Sequence, residues 1–319
     1  MVSTRCVLHI GAEKTGTTAV QTALKRQSAE LLGHGVLYPR ALRTRRGISH
    51  TGLATYAADP HRVDDLRRAA GLTTPARVET HRHAVRRALL RELSSGEPPA
   101  TVLLSSEHCQ SRLRTVAEVR DLRELLAEFC DDVTVVLYLR PQHEVALSLY
   151  STRMKAGLPP TNPLSEDSAE PGYFDYGGLV TRWATVFGAA NLRVRTFEPD
   201  RLIGGSILDD FADVTRLPVA LRRSGGRANP SLSPRGIRVL GAANTVVPRF
   251  LLGRVNPLRL PLTRLVEQLF RGSGPVVDPD EAATFYERFA ESNDVVRSMY
   301  FPGRPTLFSP DFSVYERAR

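Results

Sequence analysis

The sequence predicts an α/β protein, a doubly wound and mostly parallel sheet flanked by helices, and three observations predict it. Residues 100–107 (ATVLLSSE) and 132–140 (DVTVVLYLR) are nearly continuous apolar runs, the pattern of strands buried on both faces of a parallel sheet. Helical periodicity precedes each run, over residues 81–94 and 116–130. An earlier strand, residues 4–10, leads through a loop rich in glycine and threonine into a helix. Strands that alternate with helices indicate βαβ units.

The second half of the chain continues this pattern and then becomes helical. Residues 191–202 predict another strand, and residues 206–214 predict the helix that follows it. Beyond Ser233 the pattern is helical. It is broken by Pro248, Pro257 and Pro261. Because no linker divides the chain, we expect one domain over residues 1–319, with a helical C-terminal part, 233–319, packed on the rest.

The composition is that of a globular protein without covalent or metal cross-links. The 319 residues are 42% hydrophobic, which is enough for one large core. Cys6, Cys109 and Cys130 are odd in number and lack metal-ligand spacing, so we expect buried thiols in a reducing compartment. The first residues do not resemble a signal peptide, and no apolar run reaches the length of a membrane span. These features predict a cytoplasmic protein.

Positive charge is concentrated in one segment. The net charge is +9, and the segment from Val214 to Val266 contains ten arginines and no acidic residue. Such a segment suits an anionic ligand, an acidic membrane surface or nucleic acid, although a helical surface with solvated arginines is the plainer alternative. Only three of the 43 Lys and Arg residues are lysines, so a lysine inside a loop is conspicuous.

The loop after the first strand, GAEKTGTT at residues 11–18, has the composition of an anion-binding turn. A turn from strand to helix that is rich in glycine and threonine directs backbone N–H groups and the positive end of the helix at one point. A Walker A loop has its lysine directly after the second glycine, whereas here Lys14 precedes Gly16 by two residues. We therefore expect an anion site with a displaced cation. A purely structural turn is the alternative.

A second candidate anion site follows the strand at residues 132–140. Arg140 ends that strand, Pro141 is expected at the first helical position, and Ser148 lies about two turns further along the helix. An arginine at the carboxyl end of a parallel strand faces the crevice where such sheets bind ligands, and its planar fork suits a phosphate. The alternative is an arginine paired with a carboxylate and a serine that faces solvent.

These two motifs carry a resemblance to a known family. GAEKTGTTAVQ and YLRPQHEVALSLY resemble the 5′-phosphosulfate loop and the 3′-phosphate element of the sulfotransferases that use 3′-phosphoadenosine-5′-phosphosulfate (PAPS), especially the bacterial branch related to carbohydrate sulfotransferases. Looser landmarks are SSE at 105–107, FEPDRLIGG at 197–205 and RANPSLS at 227–233. The resemblance covers about residues 6–233 and implies the P-loop NTPase-like sulfotransferase fold.

The resemblance implies a role for each matched residue. The 5′-phosphosulfate of PAPS would be held by Lys14, Thr15, Gly16, Thr17 and Thr18. The 3′-phosphate would be held by Arg140 and Ser148, while Arg227 and Asn229 would close over the nucleotide. PAPS carries two separate anionic groups, and the chain offers two candidate anion sites.

Sulfuryl transfer needs a cation and a base. Like phosphoryl transfer, it depends on positioning and on stabilisation of the charge that grows on the leaving oxygen, the role expected of Lys14. Glu107, which resembles the glutamate of the family's matching segment, is the expected base for the acceptor hydroxyl, with a helix cap or an ion pair as its structural alternative. His50 is a second candidate for proton transfer, although a lone histidine is more often structural, and His108 is adjacent to Glu107. This scheme needs no metal ion.

The expected function is therefore transfer of a sulfuryl group to a hydroxyl of a carbohydrate, a glycolipid or a natural product. One alternative is a kinase-like P-loop enzyme, which the position of Lys14 disfavours. Another is a non-enzymatic binder that uses the basic segment, residues 214–266. For nucleic acid we find no recognition motif, and peripheral contact with an acidic membrane remains a candidate. The abundance of arginine suggests a bacterial source, and the sequence does not predict an oligomeric state.

Overall fold

In the computed structural model the chain forms two compact units. The first comprises Met1–Leu139, Tyr176–Ser224 and Val296–Gly303, and the second comprises Arg140–Asp175, Gly225–Val295 and Arg304–Arg319. The structure describes residues 4–44, 47–166, 169, 172–223, 232–247, 249–251, 254–272 and 274–315. That residues 1–319 form a single domain, with residues 233–319 packed on the rest, stays a prediction.

The first unit alternates strands and helices, as the sequence predicts. Its strands are β1 (Arg5–His9), β2 (Val36–Leu37), β3 (Thr101–Ser105), β4 (Asp132–Leu139) and β5 (Leu192–Thr196). Its helices are α1 (Thr17–Arg26), α2 (Ser28–Gly33), α3 (Thr51–Ala57), α4 (Asp65–Ala69), α5 (Pro75–Leu93), α6 (His108–Arg112), α7 (Val116–Ala127), α9 (Tyr176–Phe187) and α10 (Ile207–Thr215).

Within the described residues these five strands form one parallel sheet in the order β2-β3-β1-β4-β5. The central strand β1 pairs with β3 on one side and with β4 on the other. The chain leaves β1 towards β2 at one edge and leaves β4 towards β5 at the opposite edge, so the two connections diverge between β1 and β4. The carboxyl ends of strands at such a divergence are where open α/β sheets bind ligands.

Burial explains why the strands are readable from the sequence. Every residue of β4 after Asp132 is buried, and so are the last four residues of β1 and of β3. A cluster that includes Val20, Leu24, Val136 and Phe211 packs α1 and α10 against the sheet. The predicted α/β class is confirmed. Cys6, Cys109 and Cys130 are buried free thiols, as predicted.

Several boundaries differ from the predictions. The third strand ends at Ser105 rather than at residue 107, and α5 begins at Pro75 because Thr74 caps it and accepts a hydrogen bond from the backbone N–H of Arg77. The edge strand β2 and the helix α9 were not predicted. β2 has two residues, which is too short for an alternating pattern.

The second unit is mainly helical. It contains α8 (Gln142–Lys155), α11 (Pro234–Val246), β6 (Phe250–Leu251), β7 (Arg254–Val255), α12 (Arg259–Leu269) and α13 (Pro279–Glu287), and α14 (Ala290–Tyr300) begins in it. One apolar cluster joins α8 to α13, and another joins α8 to α11 and α12. No helix in the described part of the chain is long and apolar enough to cross a bilayer.

The C-terminal part is mainly helical, as predicted, but it contains one element that was not predicted, and one of its prolines does not break a helix. β6 and β7 pair as a short antiparallel hairpin. Pro261 lies in the first turn of α12 and does not break it, because a residue there needs no intrahelical N–H donor. Pro257 precedes α12 as expected, and Pro248 lies outside the described residues.

A buried carboxylate ties α10 to the two strands β4 and β5. Asp210 is fully buried and accepts hydrogen bonds from the Tyr138 hydroxyl at 2.7 Å, the Arg195 guanidinium and the backbone N–H of Ile203 at 3.1 Å. Burial alone would raise the pKa of Asp210, but the hydrogen bonds from Arg195 and Tyr138 outweigh it, so the pKa is lowered. The carboxylate is therefore ionised at neutral pH.

Replacing this carboxylate should destabilise the first unit. We expect Asp210→Asn to lower the free energy of unfolding by about 2–3 kcal/mol in urea denaturation, because hydrogen bonds to a buried charge are lost. The loss should shrink as the pH falls through the pKa of Asp210, since protonation removes the same charge. The exposed neighbour provides the control, Asp209→Asn, which should cost less than about 1 kcal/mol. Equal losses for the two variants would contradict this account.

Candidate active site

The loop between β1 and α1 is built from left-handed backbone. Gly11 has φ of +43°, Lys14 of +71° and Gly16 of +77°. The loop begins in register with the sheet, since the backbone N–H of Ile10 donates to the carbonyl of Val136 at 3.0 Å. The hydroxyl of Thr15 donates to the carbonyl of Ala12 at 2.6 Å and holds the turn closed. Three left-handed residues among six fold the chain tightly back on itself.

The two glycines are required by close approach. A Cβ at Gly11 would overlap Cγ2 of Thr17, and a Cβ at Gly16 would lie 3.2 Å from side-chain atoms of Ile207 and Phe197. The loop is therefore packed between the first turn of α1 and the start of α10.

The first turn of α1 is open to an anion. Gly16 is the N-cap residue and contributes no side-chain hydrogen bond, and this fully described turn contains no acidic residue. The first backbone N–H groups of a helix lack intrahelical acceptors, and the helix dipole adds positive charge there. Together with the folded loop, this helix end is suited to a phosphate-like group.

Lys14 adds a charged side chain at a strained position. It is half-buried, and among the described residues only two other non-glycine residues, Leu42 and Arg216, have positive φ. The left-handed conformation costs a side-chain-bearing residue about 1–2 kcal/mol, and such strain is concentrated at functional sites.

Glu107 lies two residues beyond β3, next to β1 in the sheet, at the N-cap position of α6. Its side chain makes no cap hydrogen bond. One carboxylate oxygen, Oε2, accepts hydrogen bonds from Nε2 of Gln21 at 2.7 Å and from the hydroxyl of Ser49 at 3.1 Å. The structural alternative of a helix cap therefore does not apply.

The environment keeps this carboxylate ionised. Burial alone would raise the pKa of Glu107, but the charge of His108 and the hydrogen bonds from Gln21 and Ser49 outweigh it, so the pKa is below its usual value. Glu107 can accept a proton at neutral pH. Its partner Gln21 belongs to α1, so this hydrogen bond connects the helix of the anion loop to the end of β3.

A buried histidine supports the same arrangement. The amide of Gln21 also donates to the hydroxyl of Ser105 at 3.2 Å, and that hydroxyl lies 2.9 Å from Nδ1 of His9. Burial lowers the pKa of His9 to about 4, so the ring is neutral at pH 7. Nδ1 of His9 and the Ser105 hydroxyl form one hydrogen bond, in which either group can be the donor. Nε2 is buried without a hydrogen-bond partner in the described structure and faces Gly11.

His50 is fully buried with both ring nitrogens engaged. Nδ1 accepts from the backbone N–H of Ser105 at 3.0 Å, and Nε2 therefore carries the proton and donates to the carbonyl of Pro39 at 2.9 Å. Burial lowers the pKa of His50 to about 4. This geometry favours the structural alternative for His50. His108, the first residue of α6, acts on Glu107 through its charge.

The second motif belongs to the second unit. Nε of Arg140 donates to Oε2 of Glu144 at 2.6 Å in a partly exposed ion pair one turn apart. A guanidinium carries five N–H groups, so this contact is compatible with a phosphate role as well as with the structural alternative. Ser148 is partly exposed on α8. Pro141 is the N-cap residue of α8, one position before the expected one. Arg227 and Asn229 lie outside the described residues.

Sequence reasoning missed Gln21 and Ser49 as site residues. A signal for Gln21 was available, because it lies on the face of α1 that also carries the buried residues Thr17, Val20 and Leu24. A polar residue on the buried face of a helix needs a partner, and Glu107 is that partner. Ser49 follows no periodic pattern, and only the fold brings it to Glu107.

The fold and the loop together define an α/β protein whose central strand leads into a candidate anion-binding loop. The solved structures that are similar to the chain include two sulfotransferases. A sulfotransferase from Alicyclobacillus acidocaldarius has a TM-score of 0.47 and 13% identity, and the match covers 92% of this chain and 94% of that one. The sulfotransferase domain from the curacin biosynthetic pathway has a TM-score of 0.40 and 10% identity, over 90% and 97% of the two chains.

No protein-family model matches the chain, and no curated protein is similar to it.

The hydrogen bond from Gln21 should control the ionisation of Glu107. We expect Gln21→Leu to raise the pKa of Glu107, because burial then acts against less compensation, and we expect Ser49→Ala to raise it less. The measurement is a pH titration of the glutamate side-chain carbons by NMR, with Glu107→Gln used to assign the resonance. An unchanged titration in Gln21→Leu would show that the hydrogen bond does not hold the carboxylate in solution.

Proposed function

We propose that this chain is a sulfotransferase that moves the sulfuryl group of PAPS to a hydroxyl of a carbohydrate, a glycolipid or a natural product. One observation carries the proposal. A lysine in left-handed conformation lies inside an anion loop at the end of the central strand, and an ionised carboxylate follows the neighbouring strand. Sulfuryl transfer to a hydroxyl requires this combination of a cation for the leaving group and a base for the acceptor.

The anion loop fits the phosphosulfate end of PAPS. The open N-terminus of α1 offers backbone donors without a competing acidic residue in its first turn, and Gly11 lets the chain approach Thr17 closely. We assign this end to the loop from Lys14 to Thr18, including Thr15, Gly16 and Thr17. We assign Arg140 and Ser148 to the 3′-phosphate, and Arg227 and Asn229 to closure over the nucleotide.

When bound, PAPS would supply a sulfuryl group whose bond to a phosphate oxygen breaks as the bond to the acceptor oxygen forms. Lys14 would stabilise the negative charge that grows on the leaving phosphate oxygen. Glu107 would take the proton of the acceptor hydroxyl. Gln21 and Ser49 would hold the Glu107 carboxylate in place, and His50 would support the end of β3 through its hydrogen bond with Ser105.

The first test is transfer from PAPS that carries radioactive sulfur to a panel of sugars, glycolipids and phenolic natural products. We expect a labelled product in the presence of a metal chelator, because Lys14 and backbone dipoles supply the positive charge in this scheme. Labelled ATP in parallel reactions is the matched control for the kinase-like alternative. Phosphate transfer that depends on Mg²⁺, with no sulfuryl transfer, would overturn the proposal.

Lys14→Gly separates the charge of the lysine from the conformation of its backbone. Glycine adopts a positive φ without strain, so the free energy of unfolding should change by less than about 1 kcal/mol, while the turnover rate should fall by about 100-fold or more. Lys25→Ala is the matched control, because Lys25 lies on the adjoining helix and donates to the carbonyl of Gly47 at 3.1 Å. Turnover in Lys14→Gly equal to that in Lys25→Ala would remove Lys14 from the mechanism.

Glu107→Gln should separate catalysis from nucleotide binding. We expect the rate to fall by about 100-fold or more, while the dissociation constant of adenosine 3′,5′-bisphosphate stays within about twofold. The ionised form is the active base and the pKa of Glu107 is lowered, so the acidic limb of the rate profile should lie below the usual pKa of glutamate. The exposed control is Glu97→Gln. Equal losses of rate and affinity would make Glu107 a structural residue.

A further inference from the structure

The second unit carries an exposed aliphatic surface that the proposed chemistry does not use. We call it the leucine face and define it by residues that are each more than half exposed. Its members are Val246, Leu251, Leu258, Leu265 and Leu269. Large aliphatic side chains that are exposed singly are ordinary, but five within 24 residues of sequence are unusual, and exposed apolar surface that is concentrated in this way marks an interaction site.

The two faces of α12 show how this surface arises. Val266 is buried, and Leu262 and Phe270 pack with it against α8 and α11. Leu258, Leu265 and Leu269 are spaced by seven and four residues, so they share one side of the helix, about 80° from the side that carries Val266. The helix thus has two apolar faces, and only one of them is used for packing within the unit.

The helix α11 also has one side that packs within the unit and one side that is exposed. Its inward side carries Ile237 and Leu240 in the apolar cluster, and the amide of Asn244 donates to the carbonyls of Met154 at 2.9 Å and Leu158 at 2.7 Å. These contacts fix which side of α11 faces the unit. Its exposed side carries arginines and ends at Val246.

Exposed arginines lie on or next to the same elements as the leucine face. They are Arg235 and Arg238 on α11, Arg249 before the hairpin, Arg264 on α12 and Arg271 after it. The chain has no acidic residue from Val214 to Val266, and the next one, Glu267, is paired with Lys155 at 2.9 Å. The surface therefore combines exposed aliphatic side chains with exposed arginines.

We propose that the leucine face is a docking surface for an anionic lipid bilayer. Exposed leucines can enter the boundary between headgroups and acyl chains, while arginines contact acidic headgroups. A second copy of this chain fits less well, because a symmetric contact would place the same arginines against one another. Nucleic acid would attract the arginines but would leave the leucines unused. Such docking would bring the enzyme to acceptors carried in the membrane.

The test is co-sedimentation of the full chain with vesicles of phosphatidylcholine alone, or of equal amounts of phosphatidylcholine and phosphatidylglycerol. We expect binding to the anionic vesicles that weakens with salt, and little binding to the neutral ones. Leu265→Gln should weaken anionic-vesicle binding about tenfold and Arg264→Gln about fivefold. The matched controls are Leu32→Gln, since Leu32 and Leu265 are each 52% exposed, and Arg120→Gln at another exposed arginine.

Several outcomes would overturn the proposal. They are equal binding to both vesicles, no binding to either, or the same affinity for Leu265→Gln as for Leu32→Gln. Self-association that Leu265→Gln abolishes, without vesicle binding, would assign the face to a second copy. DNA binding weakened by Arg264→Gln and not by Leu265→Gln, again without vesicle binding, would assign it to nucleic acid. Transfer from PAPS to a soluble acceptor should be unchanged in all four variants. A failure of the membrane-docking proposal is therefore distinguishable from a failure of the proposed function.

Discussion

The site depends on one constraint, the tight return of the chain between the central strand β1 and the helix α1. Gly11, Lys14 and Gly16 adopt left-handed backbone there, and the first turn of α1 presents its N–H groups without an acidic residue of its own. A Cβ at Gly11 would collide with the side chain of Thr17, so the loop requires glycine at position 11. The surrounding packed structure holds Lys14 in its left-handed conformation despite the strain. In return, the fold provides a positive helix end and a cationic side chain at one place.

The second requirement is a base that stays ionised although it is largely buried. Glu107 meets it because Gln21 and Ser49 donate to its carboxylate. Gln21 is the connecting residue, since it belongs to the helix that closes the anion loop and also reaches Ser105 at the end of β3. The neutral side chains of His9 and His50 fix Ser105 from two directions. The anion loop and the carboxylate are thus parts of one hydrogen-bonded arrangement rather than separate features.

Much of the fold could be predicted from the sequence, because β1, β3 and β4 are buried on both faces and read as apolar runs. The loop and Glu107 could be named for the same reason, as each follows such a strand. The edge strand β2 could not be predicted, since two residues have no period, and the hairpin of β6 and β7 was hidden within helical periodicity. Gln21 looked like one polar residue among several on an amphipathic helix. The partners of His50 are backbone groups from distant segments, which no local pattern encodes.

The central claim is that this loop holds the phosphate end of an adenine nucleotide. The most direct measurement is thermal unfolding with and without adenosine 3′,5′-bisphosphate, in the unaltered chain, Gly11→Ala and Gly33→Ala. A Cβ at Gly33 meets no atom within 4 Å, so that variant is the control for the substitution itself. We predict that the nucleotide raises the melting temperature of the unaltered chain and of Gly33→Ala and has no such effect on Gly11→Ala. Stabilisation of all three proteins to the same extent, or of none, would contradict the account.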